Sequence, residues 1–299
     1  MHALLQTGGL LKHPLKSLHR PQLNKKAIQF MHSYAQTNIQ LLNQLRQNGY
    51  STSELLCIAN AYGLAMQLFT GRFRPSGKPF TAHLVGTASI LGHLHASSEL
   101  IAAGLLHAAY SHGDFGGIGK RGISVVKREQ VKRVIDEKIE EYIARYTALL
   151  WTADTIPAIH NHLYKLDDID RNVVLMRLAN ELEERLDLGI LYCGDFKQQQ
   201  YSDRDGHLMI EIAQQLGFPV LATELEQAFS DTASAKLSAE LSNPTGLGYS
   251  TLVTPNSCQR KPLVFFYHTL TQTIEYWKSC AVNFKAALGR SPHGSLARD

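Results

Sequence analysis

From Ile28 the apolar positions Met31, Tyr34, Leu41, Leu42 and Leu45 recur at helical spacing and stop at Asn48-Gly49, which predicts an N-terminal helix within residues 24–50. Ser51 with Glu54 three positions on is a capping-box pattern, in which the hydroxyl takes a free backbone amide hydrogen and the carboxylate reaches back. A second helix follows through Leu55, Leu56, Ile58, Ala61 and Leu64 toward Gly71. After a turn at Arg74 to Pro79 the chain is apolar from Phe80 to Leu94, and Ser97-Ser98-Glu99 opens another helix over Leu100 to Tyr110. Glycines at 113, 116, 117, 119 and 122 break the chain into a loop. Val125, Val131, Val134, Ile135, Ile139, Ile143 and Leu149 then predict one long surface helix over Ser124 to Leu150. Two more helical patterns run over Asp170 to Leu191 and His207 to Phe229, the second interrupted at Gly217-Phe218-Pro219. Two-residue alternation and hairpin turns dominate nowhere, so the chain reads as all-α.

The pattern divides the chain into a basic arm (1–23), an N-terminal helix (24–50), a main domain (51–232) and an extension of unassigned role (233–299). With 299 residues, 44% hydrophobic and 19% charged, it can bury one substantial core or two smaller ones. Its four cysteines have no CxxC spacing, which argues against a disulfide framework and a zinc ribbon. No apolar run is long enough for a membrane span, and a cytoplasmic protein is expected. No acidic residue precedes Glu54, a balance shared with organelle transit peptides, but Pro14 and Pro21 interrupt any long amphipathic helix and favour a flexible arm. The net charge of +4 is concentrated toward the two ends, without a basic helical stripe or interleaved aromatics, so neither a specific nucleic-acid partner nor a membrane is expected.

The candidate chemistry lies in Arg74-Pro75-Ser76-Gly77-Lys78-Pro79-Phe80-Thr81-Ala82-His83 and Leu105-Leu106-His107, which set two histidines between helical patterns. A buried imidazole keeps a neutral nitrogen near neutral pH, and two on adjacent helices can clamp one ion. Arg74, Ser76, Gly77, Pro79 and His83 match the pattern RxSGxPxxxH; Ala102, Leu105, Leu106 and His107 match the run that ends in a second histidine; Arg177-Leu178-Ala179-Asn180-Glu181-Leu182 matches a segment KLADRL. On these residues the chain resembles the HD superfamily, and most closely the hydrolase domain of the RelA/SpoT-type (p)ppGpp synthetase/hydrolases, over roughly residues 54 to 230. The resemblance implies an HD-domain-like helical bundle with an extra N-terminal helix and a C-terminal extension. It also implies a divalent metal, usually manganese, held by two histidines and two aspartates, with a Glu-Asp pair orienting the attacking water.

Only His83 and His107 carry over; the aspartate positions hold Ala108 and Asn180, and the water-orienting pair falls on Ser111 and His112. The expected metal, manganese or another transition ion, would then rest on His83, His107 and the neutral oxygen of Asn180. His112 or Asp114 would supply a ligand or base, Asp114 returning to the His107 face if the helix runs past Gly113. Arg74, Ser76 and Lys78 precede a helix start, where cations and backbone amides suit a phosphate, although the same residues also simply make a turn that leaves Arg74 exposed. Glu181, Glu183, Glu184 and Asp187 read as a solvated acidic face, with Glu184 about 6 Å along the helix axis from Asn180. His160-Asn161-His162 reads as surface, Gly119-Lys120-Arg121 lacks the phosphate-loop pattern, and no GxSxG elbow supports acyl transfer.

Two functional readings stay open. One is a metal-dependent phosphohydrolase with a rearranged site acting on a phosphorylated small molecule or nucleotide; the other is a catalytically silent nucleotide-binding or regulatory module. A purely structural role is the third.

Overall fold

A computed structural model describes residues 34–74, 76–116, 122–189, 191 and 196–236. The predicted basic arm, residues 24–33 of the first predicted helix and nearly all of the C-terminal extension lie outside the described residues.

Among those residues the protein is all-α, as the pattern predicts. Helix α1 (Asn38–Gln47) starts where Thr37 accepts from Gln40 N and the Gln40 side chain returns to the Thr37 backbone. Tyr34, Ala35 and Gln36 are not helical, so the N-terminal helix is shorter than expected. Leu41 and Leu45, one turn apart, form its buried stripe. Gly49, at φ 90°, reverses the chain into α2 (Thr52–Phe69), which carries the Ser51–Glu54 capping box read from sequence.

Helices α3 (Phe80–His93) and α4 (Ser98–Leu106) are the centre of the bundle, with Leu84, Ala88, Ile90, Leu91, Ile101, Ala102 and Leu105 fully buried. A helix apolar on nearly every face has to be covered on every face. Helix α2, α7 (Glu137–Ala148) and α9 (Asp168–Arg185) pack around this pair. Each fully buried leucine or isoleucine stabilises the fold by about 1.5–3 kcal/mol relative to exposure.

The helix predicted from Leu100 breaks at His107-Ala108 and resumes only as α5 (Ala109–His112). The long helix predicted over Ser124 to Leu150 is two, α6 (Val125–Lys132) and α7, because Asp136 accepts from Lys138 N at 2.7 Å and starts a new helix. Helix α7 is no surface helix: Ile139, Glu140, Tyr142 and Ile143 are buried. Glu140 receives Arg128 through a two-pronged contact of 2.8 and 2.6 Å and the Tyr110 hydroxyl at 2.6 Å, which ties α5, α6 and α7 together.

His160 and His162 end a helix, α8 (Thr155–His162), that the sequence pattern did not show; His160 pairs with Glu211 at 2.7 Å. The closing pair is α10 (Phe196–Gln215) and α11 (Pro219–Ser234), joined at Gly217 (φ 88°) with Pro219 at the first helical position. Helix α11 covers α9, and its Glu224 accepts from the Tyr34 hydroxyl at 2.5 Å. No described helix is long and apolar enough to cross a membrane.

Candidate functional site

The turn between α2 and α3 closes on itself. Arg74 N donates to Lys78 O at 2.9 Å, Gly77 N donates to Arg74 O at 2.8 Å, and Phe80 N donates to Arg72 O at 3.0 Å. Gly77 has φ 78°, a conformation glycine adopts without the cost a side chain brings. The clip sends the Arg74 and Lys78 side chains toward α9, and Ser76 lies against Gly189 just beyond that helix.

His83 stands on the first turn of α3 and His107 at the end of α4, both buried, with Nε2 atoms 3.2 Å apart. Their protonation follows from their partners. A carbonyl oxygen only accepts, so the Gly104 oxygen 2.7 Å from His107 Nδ1 makes that nitrogen the donor and leaves a lone pair on Nε2. A guanidinium only donates, so Arg74 Nη1, 2.9 Å from His83 Nε2, makes that nitrogen an acceptor and turns the His83 Nδ1 proton onto Glu183. Both Nε2 atoms are therefore unprotonated, and that of His83 already accepts from Arg74. Both rings are neutral at physiological pH: burial holds His83 well below its ordinary value, aided by Arg74, and burial does the same to His107, aided by His83.

Helix α9 supplies the opposite wall. Glu183, 1% exposed at its side chain, accepts from His83 and from Lys78, and Lys78 also reaches Asp187 at 3.1 Å. Its close approach to α3 depends on Gly86, where a Cβ would stand 2.8 Å from Glu183 Cγ. Burial pushes Glu183 up to about 7, although Lys78 and Arg74 pull the other way. Burial alone would lower Lys78, but Glu183 and Asp187 outweigh it and hold the ammonium above its ordinary value.

Glu184, 8% exposed at its side chain, accepts at Oε1 from Arg74 Nη2 (2.6 Å) and from Asn180 Nδ2 (3.0 Å). Its Oε2 is buried with no hydrogen-bond partner. Glu181 sits between Arg177 and Arg185; burial would raise it, but the two guanidiniums hold it below the usual carboxylate range. Arg177 in turn donates to Tyr146 at 3.1 Å, whose ring packs on His107 at 4.9 Å.

The acidic face expected to be solvated is therefore mostly interior. Only Asp187 has a largely open carboxylate, and the cations Arg74, Lys78, Arg177 and Arg185 balance Glu181, Glu183, Glu184 and Asp187. Nor is Arg74 an exposed turn residue: its side chain is 20% exposed and bridges His83 to Glu184. Glu183, Glu184 and Tyr146 are the participants the sequence reading did not assign. The visible signal was Glu183 and Glu184 falling three and four positions after Asn180, with Gly86 one turn after His83 on the facing helix.

The predicted residues thus divide. His83 and His107 meet, Arg74 and Lys78 join them, and buried Asn180 joins through Glu184. Asp114 Oδ1 accepts from Gly116 N at 3.0 Å and its Oδ2 lies 4.0 Å from Arg72, while exposed His112 packs on Phe80 at 5.2 Å. The helical rotation that would return Asp114 to the His107 face does not apply, because the helix breaks at Ala108 and ends at His112.

The histidine pair has the right bite for one ion. Two bonds of about 2.0–2.1 Å opening at a tetrahedral angle separate their nitrogens by about 3.3 Å, against the observed 3.2 Å. Each ring is also held through Nδ1 by a carbonyl or a carboxylate, as metal-bound histidines usually are. As the side chains stand, however, no group of three or more His, Cys, Asp or Glu among the described residues is placed to hold a metal. Ala108 offers no ligand, and Glu184 is turned to Arg74.

Residues 66–149 match a domain of unknown function, DUF6817. The chain is also similar to a probable chloroplastic GTP diphosphokinase of Oryza sativa subsp. japonica, with 23% identity over 179 residues, which is 56% of this chain. The matched part spans only 23% of that relative's length. The second match supports a distant relationship to a RelA/SpoT-type GTP diphosphokinase.

Proposed function

We propose that the chain is an HD-like, metal-dependent phosphohydrolase acting on a phosphorylated nucleotide or small molecule, with His83 and His107 as the nitrogen ligands. The observation that carries this reading is the two unprotonated Nε2 atoms 3.2 Å apart, each ring oriented through its other nitrogen. Glu184, with its orphan buried Oε2, and Asn180 are the oxygen donors nearest this arrangement in role. A set dominated by neutral imidazole, with two aspartates replaced, suits a zinc-like ion better than manganese. A bound divalent ion would polarise a phosphoryl oxygen and lower the pKa of a water molecule. Around it, burial keeps both rings neutral, Glu183 and Gly104 fix their tautomers, and Arg74 and Lys78 supply donors for phosphate oxygens.

The distant relationship to a GTP diphosphokinase supports a nucleotide as the class of ligand. The test is metal content of protein purified without chelator, set against His83→Ala/His107→Ala, together with phosphate release from a nucleotide panel. About one equivalent of metal in the wild type and none in the variant is expected. An equally metal-free wild type that cannot be loaded refutes the reading.

One observation favours the silent alternative: the guanidinium of Arg74 already supplies a positive charge to His83 Nε2 and Glu184. A nucleotide-binding module without turnover would show thermal stabilisation by nucleotide and no product at any metal concentration.

A further inference from the structure

We propose that the outer face of α6 is a self-association surface, on which a second copy of this chain docks antiparallel about a two-fold axis near Gln130. The proposal is independent of the metal reading above and uses no residue of the histidine site. Among the described residues ten large hydrophobic side chains are exposed, and four of them, Ile123, Val125, Val126 and Val134, fall within residues 123–134, with Val125 77% open. Apolar side chains scattered singly over a surface need no explanation, whereas a cluster marks an interaction site. Described residues cover α6 on two sides. Lys127 and Val131 are buried beneath it, and Arg128 and Lys132 reach sideways to Glu140, Glu141 and Glu137 of α7. The Arg133 and Val134 amides donate to the Glu129 and Val131 carbonyls, so the helical path continues through Val134.

The remaining side carries two rows at four-residue spacing, Val126-Gln130-Val134 and Val125-Glu129-Arg133, all exposed except the half-buried Gln130. A two-fold axis perpendicular to α6 at Gln130 sets Val126 against Val134 of the second copy and Gln130 against its own counterpart. A carboxamide both donates and accepts, so that central pair satisfies itself. The same axis keeps the outer row on one side in both copies and brings Glu129 to within about 3 Å, along the helix axis, of Arg133 of the second copy. The charge pattern is thus self-complementary, and each contact occurs twice, as an isologous interface requires. Parallel docking would instead put Glu129 on Glu129 and Arg133 on Arg133, which selects the antiparallel arrangement. An anionic lipid surface fits less well, because Arg128 and Lys132 are turned to α7 carboxylates and Glu129 stands among the valines. A seam of about three turns buries less than the roughly 800 Å² per partner of a standard interface, so the dimer is weak and forms at high concentration.

The experiment is sedimentation equilibrium of the full chain up to about 0.5 mM, comparing wild type, Val126→Asp, Glu129→Arg and Arg133→Glu after circular dichroism has established equal folding. Wild type should show a monomer–dimer equilibrium, and Val126→Asp, which puts a charge in the seam, should stay monomeric throughout. Glu129→Arg sets four cations across the axis and Arg133→Glu four anions, so each alone should associate about tenfold more weakly than wild type, or less. An equimolar mixture of those two variants pairs arginine with glutamate at both contacts and should recover association to within about threefold of wild type. A wild type that stays monomeric, single variants that associate as well as wild type, or a mixture no better than its components overturns the proposal. So does co-sedimentation of wild type with phosphatidylserine/phosphatidylcholine vesicles that Val126→Asp abolishes, since that result assigns the face to lipid.

Discussion

Glu183→Gln should change the stability of the protein by an amount that depends on pH, and the sign is fixed by burial. The carboxyl is ordinarily 4.5 and is pushed up to about 7 in the folded chain. A group raised in this way binds more protons folded than unfolded between those values, so its stabilising contribution is complete below about 4.5 and is lost as pH climbs through about 7. At about 1.4 kcal/mol per pH unit, the gap amounts to about 3 kcal/mol. Glutamine keeps the shape of the neutral acid and does not titrate. His83 and His107 are depressed rather than raised, and they contribute to both proteins, so they cancel in the comparison to a first approximation. The assay is urea unfolding of wild type and Glu183→Gln at about pH 5 and about pH 8, followed by tryptophan fluorescence. The variant should gain on the wild type by about 2–3 kcal/mol across that interval. A difference that stays constant with pH, or one that moves against the variant, refutes the claim that burial outweighs Lys78 at Glu183.

Three shorter predictions test other parts of the structure. Wild-type stability should fall as pH drops below about 6.5, by up to about 1.4 kcal/mol per unit for each imidazole less the opposing trend of Glu183, because the folded chain holds His83 and His107 neutral; His83→Asn should flatten the slope in the same unfolding series. Gly86→Ala places a Cβ 2.8 Å from Glu183 Cγ and should lower stability by about 1–3 kcal/mol, read as a lower melting temperature, whereas an unchanged melt would mean that α3 and α9 are not held at this spacing. Arg128→Ala leaves the wholly buried Glu140 with only the Tyr110 hydroxyl among these contacts and should cost about 3 kcal/mol in chemical denaturation, while Arg128→Ala with Glu140→Gln should recover part of it.

How much of this could be read from the chain depends on the kind of information each feature carries. The Ser51–Glu54 capping box, the stop at Gly49 and the break at Gly217-Phe218-Pro219 are local signals, and each falls where expected. The break between α6 and α7 was missed because Asp136 looks like one more polar position on a helical repeat until its carboxylate turns to its own backbone. Helix α8 was missed for the opposite reason: eight residues with one buried side chain, Ile156, give too short a stripe to register. At the site, the two histidines were legible because their spacing and flanking apolar runs put them inside. Their acidic partners were not. Periodicity places Glu181, Glu183 and Glu184 on α9 but cannot say that Arg74, Lys78 and Arg185 arrive to neutralise them, and without such partners exposure is the default for a carboxylate.

The closed turn at Arg74 to Lys78 has a consequence for how change at this site could be seen. Because backbone hydrogen bonds clamp both ends of the turn and Gly77 absorbs its curvature, the anchor points of the two long side chains are set independently of what their tips hold. Swapping one tip partner for another then requires χ rotations and an exchange of charged partners, but no movement of the backbone anchors. Two such states would superimpose in their main-chain traces, and a comparison of Cα positions would score them as identical while their chemistry differed.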